Sequence, residues 1–265
     1  MTTLHYYMID PTKNITALVG TPVPPASRPF AARGIMENEP ACEQVGFVWL
    51  DETGAPRLAM AGGEFCGNAA MSAAALSCQQ TGLRPGNTRT VRLTVSGAAE
   101  PVPVRVTAEE DGSFSCSVRM PPPERIETVS LPLDGKIVSL PVVFLPGIAH
   151  IMVTKDELDA GTAERVIRDW CGRLSAAGLG IMLFDKNRNT LRPLVYIPGS
   201  DTLFWESSCA SGTAALGAYL AGASEPVSLA VAEPGGALRV YAEKGSVDLS
   251  GRVAILDKRQ IIVDL

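Results

Sequence analysis

The sequence contains no Cys-x-x-Cys pair, only two histidines, and no run approaching the roughly 18 consecutive apolar residues of a membrane span. Its six cysteines, at 42, 66, 78, 116, 171 and 209, stand singly, so zinc-ribbon and thioredoxin-type readings have no support. His5 and His150 fall one in each half, too few for a histidine-rich metal site, and no metal is expected. A Ser–His–Asp triad would have to draw on one of those two. There is no lysine- or arginine-rich run, and a net charge of −5 argues against nucleic acid, which needs a concentrated basic face. Gly62-Gly63 leads into no phosphate-loop motif. The opening MTTLHYYMIDPTKN lacks the basic-then-apolar pattern of a secretory signal. These absences predict a cytoplasmic protein with reduced cysteines, no membrane partner and a small-molecule ligand.

What remains is the composition of a globular chain, 46% hydrophobic and 19% charged, long enough for one large domain or two medium ones. Alternating residues predict strands at 4–10, 14–19, 45–50 and 57–60, with a short helix at 30–36 after a proline-rich turn. From Gly67 to Gln80 the chain is alanine-rich and apolar on nearly every face, the mark of a buried helix. Strand patterns return at 90–95, 102–108 and 114–120. Pro121-Pro122-Pro123 then interrupts both ladder and helix and marks a linker. Beyond it, strands at 138–144 and 150–154 precede an amphipathic helix at 163–176. Strands at 180–184, 191–196 and 202–205 lead to a second small-residue helix that runs from Cys209 to about Ala221. Hairpin strands close the chain, turning at Pro234-Gly235-Gly236 and Glu243-Lys244-Gly245.

The two small-residue helices form an internal repeat. GGEFCGNAAMSAAA in the first half faces WESSCASGTAALGA in the second, aligned on Cys66 and Cys209, with Glu64 and Glu206 just upstream. A repeat of half the chain predicts two similar domains across a cleft. Each motif puts a cysteine at a helix start. There the first N–H groups lack intrahelical partners and the positive end of the macrodipole lowers a thiol pKa. The same N–H groups bind anions. Two copies would supply two sulfur bases and a carboxylate clamp. That is what cofactor-free inversion of an amino-acid α-carbon requires: one sulfur takes a proton from one face and the other delivers one opposite. Exposed, low-pKa thiolates would also be sensitive to alkylation and oxidation.

Cys66-Gly67-Asn68 with its alanine helix, and Cys209 within Ser-Cys-Ala-Ser-Gly-Thr, resemble the catalytic motifs of diaminopimelate epimerase and the related PLP-independent amino-acid racemases. Weaker matches at Lys13-Asn14, Gln44-Val45-Gly46-Phe47 and Leu194-Val195-Tyr196 extend the resemblance over most of the chain. It implies an α/β (α+β) fold of two pseudosymmetric halves, each a curled, mainly antiparallel sheet around a central helix. The halves expected are 1–122, carrying Cys66, and 123–253, carrying Cys209, with the final strand, 254–265, returning to the first. Where diaminopimelate epimerases carry Glu-Arg-Gly, this chain has Ile197-Pro198-Gly199, which makes diaminopimelate a poor substrate. The stretch from Val195 to Thr213 looks closer to histidine racemases of opine-type metallophore pathways. The activity implied is interconversion of L- and D-histidine without a cofactor. Diaminopimelate and hydroxyproline epimerases are the alternatives, and a phenazine-type isomerase is disfavoured by the retained cysteines. A different class of reading makes Cys66 and Cys209 a switchable disulfide in a binding protein.

Carried over by position, the resemblance gives Cys66 and Cys209 the catalysis. Asn14 would contact substrate, and the backbone at Gly67-Asn68 and Ala210-Ser211 would hold the α-carboxylate. Glu43 and Glu206 would hold the α-ammonium or set cysteine protonation, and His150 would stand where the epimerases place a histidine. The plainer readings stay open: a turn for Asn14, a capping or solvated role for each glutamate, a structural histidine at 150. Cys42, Cys78, Cys116 and Cys171 read as core residues. The substrate side chain and the oligomeric state are not readable from the sequence, which leaves a homodimer open.

Overall fold

A computed structural model describes residues 1–154, 156–222 and 225–264. The chain divides into two compact units, residues 1–119 with the strand from Ser250 onward, and Met120–Leu249.

In the first unit, β1 (Thr2–Pro11) and β2 (Thr16–Val19) form an antiparallel hairpin. The chain then crosses through α1 (Arg28–Asn38) to β3 (Gln44–Leu50), which lies parallel to β2. β4 (Pro56–Met60) turns back antiparallel, and α2 (Gly67–Gln80) crosses to β5 (Thr88–Val95), parallel to β4. β6 (Val102–Ala108) and β7 (Phe114–Met120) continue as a meander. The long final strand β16 (Ser246–Val263) lies between β7 and β1, so that the strands of this unit close on themselves.

The two crossover helices have different surroundings, and their sequences reflect it. α2 touches β1, β2, β4, β5 and β6, so every face needs an apolar or small residue, and Gly67 to Leu76 are all buried. α1 packs one face only. Its Ala31, Ala32 and Ile35 cover Leu4, Tyr6 and Met8, which alternate along β1 as a strand with one buried face demands.

The second unit repeats this scheme. A ribbon of β8 (Arg125–Leu133) and β9 (Lys136–Leu145) leads to β10 (Ile148–Thr154). α3 (Ala160–Arg173) crosses to β11 (Leu179–Asp185), parallel to β10, and β12 (Thr190–Ile197) returns antiparallel. A short β13 (Thr202–Trp205) pairs with β12 before α4 (Ala210–Ala221) crosses to β14 (Val227–Glu233). β14 is parallel to β12 and antiparallel to β15 (Gly236–Glu243). Thus β2–α1–β3–β4–α2–β5 and β10–α3–β11–β12–α4–β14 share one order of parallel, antiparallel and parallel pairings. The fold is α+β with two pseudosymmetric halves.

α4 is the counterpart of α2. It meets β9, β10, β14 and β15, and all but two of its residues are buried. α3 is the outer helix, its Val166, Ile167 and Trp170 buried against the sheet while Trp170 Nε1 donates to the Pro132 carbonyl at 2.9 Å. It begins at Ala160, earlier than the apolar spacing predicts, because Asp159 caps it by accepting from the Thr162 N–H at 3.0 Å. β8 is the element that the sequence pattern does not predict. Cys42, Cys78, Cys116 and Cys171 are buried; burial pushes the Cys42 thiol up to about 11 and the Cys116 thiol further. No helix among the described residues is long and apolar enough to cross a membrane.

Candidate active site

Each inner helix begins at a cysteine, and the two N-termini are built alike. Cys66 is the N-cap of α2 with extended backbone (φ −131°, ψ 114°), and its Sγ accepts from the Ala69 N–H at 3.4 Å. Cys209 is the N-cap of α4 (φ −127°, ψ 102°), and its Sγ accepts from the Gly212 N–H at 3.4 Å. Sulfur thus replaces the oxygen of an ordinary serine or aspartate cap. Gly212 packs under Met182: a Cβ there would lie 2.3 Å from Met182 Sδ and 3.2 Å from Cys209 Sγ, so any side chain would have to displace the methionine tip. Gly67 and Asn68 occupy the first turn of α2, and Ala210 and Ser211 that of α4.

Around Cys66 the structure brings together Asn14, Glu43 and Gln44. Asn14 is held by a tight turn in which Thr12 (φ 57°) and Lys13 (φ 64°) both take the left-handed conformation. Asp10 supports that turn, accepting from the Lys13 N–H at 2.5 Å and from its Nζ at 2.7 Å. The fully buried Asn14 donates from Nδ2 to the Glu43 carboxylate at 2.7 Å. That contact fixes its amide, because a carboxylate only accepts, and turns Oδ1 toward Gln44 Nε2. Gln44 Nε2 also donates to Thr16 Oγ1 at 2.7 Å, which leaves Gln44 Oε1 to accept from the Cys66 thiol at 3.0 Å. The network runs in one direction, from the charge of Glu43 to a sulfur that keeps its proton. Gln44 stands next to Glu43 in a matched stretch of sequence, yet nothing local marks it as the partner of Cys66. Glu64, just upstream, is desolvated, and its carboxyl pKa is raised.

Cys209 sits in a different environment. Its backbone N–H donates at 2.6 Å to Glu233, whose other oxygen accepts from Thr213 Oγ1 at 2.5 Å. Glu233 is buried at the end of β14, before Pro234-Gly235, and clamps the first turn of α4. It escapes a sequence reading because a hairpin glutamate carries no sign of a helix end 20 residues earlier. The Cys209 side chain faces Ser211 Oγ at 3.5 Å, and Ser211 Oγ lies 2.9 Å from His150 Nε2. His150 is fully buried on β10, so it reaches the cysteine through Ser211, and burial lowers its pKa to about 3.

At Cys209 the expectation of an exposed, low-pKa thiolate is corrected. Cys66 is partly buried, and Cys209 is only 3% exposed, with its pKa raised well above the usual thiol value. Desolvation is the largest cause, followed by the negative charges of Glu206 and Glu233, and a hydrogen bond to Glu206 adds to it. The Ser211 hydroxyl opposes them. A helix N-terminus favours a thiolate by a kcal/mol or so, on the order of what one nearby carboxylate removes. With two carboxylates and burial against it, the proton stays on.

The histidine racemase CntK N-terminal domain family matches residues 3–261. A histidine racemase of Fusobacterium nucleatum is 29% identical over 98% of this chain and 97% of its own length. One from Staphylococcus aureus is 27% identical over 82% of this chain and 79% of its own length. Among solved structures, a hydroxyproline epimerase from Agrobacterium vitis superposes with a TM-score of 0.71 at 12% identity, covering 98% of this chain and 92% of that one. A phenazine biosynthesis protein of the PhzF family from Bacillus anthracis gives 0.66 at 15% identity, covering 99% and 100%. At those identities the structural likeness concerns the fold. The match over nearly the whole length places the chain in a family: it belongs to the histidine racemase CntK N-terminal domain family.

Proposed function

We propose that this chain is a histidine racemase that inverts the α-carbon by a two-thiol mechanism, with Cys66 and Cys209 as its acid and base. The observation that carries the reading is the pair of cysteine N-caps with matching backbone and matching sulfur contacts. Family membership and the named relatives support histidine as the substrate.

Each direction of reaction needs one sulfur charged and the other protonated. The Gln44 carbonyl favours a protonated Cys66. At Cys209 the thiol gives its proton to the adjacent Glu206 carboxylate, leaving a thiolate and a neutral carboxyl. That thiolate takes the α-proton from one face while Cys66 delivers its proton to the other, and Cys209 ends as the thiol. The reverse direction exchanges the roles. Negative charge builds on the substrate carboxylate as the α-proton leaves. The helix-terminal amides at Gly67-Asn68 and Ala210-Ser211 are the donors assigned to it. On the Cys66 side Glu43 is the carboxylate assigned to the α-ammonium, held by Asn14, and on the other side Glu206 sets the protonation of Cys209.

The test is α-proton exchange. L-Histidine is incubated with the enzyme in deuterium oxide, and loss of the α-proton is followed by NMR alongside D-histidine by chiral chromatography. Exchange with appearance of the D-isomer is expected. Diaminopimelate and hydroxyproline, treated in the same way, should exchange far more slowly. Exchange of either at the histidine rate would overturn the substrate assignment, and no exchange with any of the three would overturn the racemase reading.

A further inference from the structure

We propose that His150 is a positioning residue for Cys209: its buried imidazole donates from Nε2 to Ser211 Oγ and thereby aims the Ser211 hydroxyl proton at the sulfur. The argument begins with the other ring nitrogen. Nδ1 is buried and has no hydrogen-bond partner among the described residues. It lies against Gly180 of the neighbouring strand, where an added Cβ would fall 2.1 Å from it. A buried N–H left unsatisfied costs more than a buried lone pair, so the ring proton belongs on Nε2. Ser211 Oγ, 2.9 Å away, is then the acceptor from His150, and its own hydrogen is left for Cys209 Sγ at 3.5 Å.

The chain of donors His150 Nε2–H, Ser211 O–H and Cys209 Sγ strengthens when the sulfur becomes negative and is weak while it is a thiol. Interactions that grow with developing charge are the ones that raise a turnover rate. The groups that act on this sulfur divide cleanly. Glu206 from the preceding segment, until it takes the Cys209 proton, and Glu233 from β14 oppose a thiolate, Met182 of β11 is uncharged, and the Gly212 N–H and Ser211 O–H favour it. With its pKa lowered by burial, His150 stays neutral through the working range, so it fixes a direction and carries no proton itself.

This inference rests on the proposed role of Cys209, and its test has a readout that does not need turnover. The pH dependence of Cys209 carbamidomethylation by iodoacetamide is followed by peptide mass spectrometry in the wild type, Ser211→Ala, His150→Leu and His150→Gln. Losing the donor chain should raise the Cys209 midpoint by about half to one pH unit in Ser211→Ala and His150→Leu, a roughly three- to tenfold loss of thiolate at fixed pH. The kcat for L-histidine should fall about tenfold in both, with KM within about twofold. His150→Gln, which offers an N–H near the place of Nε2, should recover most of each change. An unmoved midpoint in Ser211→Ala overturns the proposal even if His150→Leu does not fold. Equal impairment of folded His150→Leu and His150→Gln also overturns it, since that is the result of a packing role. Failure of the two-thiol reading itself would look different: Cys209→Ser would keep its turnover.

Discussion

At Cys66 a side-chain carbonyl accepts from the thiol, whereas at Cys209 a side-chain hydroxyl stands ready to donate to the sulfur. The backbone around the two cysteines is nearly the same, so the difference is made by residues on neighbouring strands. Gln44 and Asn14 come from the β1–β3 side of the first unit, and His150 and Glu233 from β10 and β14 of the second. The two helix starts share one frame, and the residues of the surrounding strands make the two sulfur sites differ. The lesson is that equal motifs need not have equal chemistry. Cys209 is the costlier site, with two carboxylates and full burial to offset, and it carries the more elaborate support.

The comparison breaks most simply by removing each sulfur. Cys66→Ser and Cys209→Ser should each lower the rate of D-histidine formation by about a thousandfold, the scale of a lost general acid or base. A variant that keeps its full rate would show that one sulfur serves both faces. Next in size is Glu233→Gln. The amide oxygen would keep the Cys209 N–H while its NH2 reverses the bond to the Thr213 hydroxyl, and loss of the charge-assisted pair should cost about 1–2 kcal/mol in urea unfolding. No change in the unfolding midpoint would reduce the clamp to a bystander.

Acid sharpens the contrast further. The depressed pKa of His150, about 3 against 6.5, means that the unfolded chain binds the proton first as pH falls. Its contribution to stability is complete above pH 6.5 and is lost as pH drops toward about 3, at a slope of about 1.4 kcal/mol per unit. Below pH 6.5 the wild type should therefore lose stability more steeply than His150→Gln in urea titrations, and parallel curves would refute this. The smallest effect is in alkylation order. At pH 8 iodoacetamide should label Cys66 several-fold faster than Cys209, because one is partly exposed and the other buried with a raised pKa. Faster labelling of Cys209 would reverse the ranking of the two sites.

Much of this architecture was legible in the sequence, and the reasons are particular. α2 and α4 are apolar on all faces because sheet surrounds them, so composition alone exposes them as inner helices. α3 shows itself by spacing. β8 stayed hidden because Arg125-Ile126-Glu127-Thr128 is exposed on both faces, so no alternation of burial is written into it. The backbone of the site was legible through the repeat, while its proton chemistry was not. Gln44 and Glu233 act through contacts 22 and 24 residues distant in sequence, and the burial that raises the Cys209 pKa belongs to the folded state. Helix position predicts a thiolate, and tertiary environment overrides it.

The route of β16 bears on how the protein is made. Strand β1 pairs with β16, more than 240 residues later, Thr2 opposite Val263 and Pro11 opposite Val253. The first unit therefore leaves the ribosome incomplete, with the flanks of both β1 and β7 unpaired, until β16 emerges. The second unit, Met120–Leu249, is continuous in sequence and is complete before the returning part of β16 is made. The half that is translated first is the half that is finished last, and the nascent chain must shield two open strand edges in the interval.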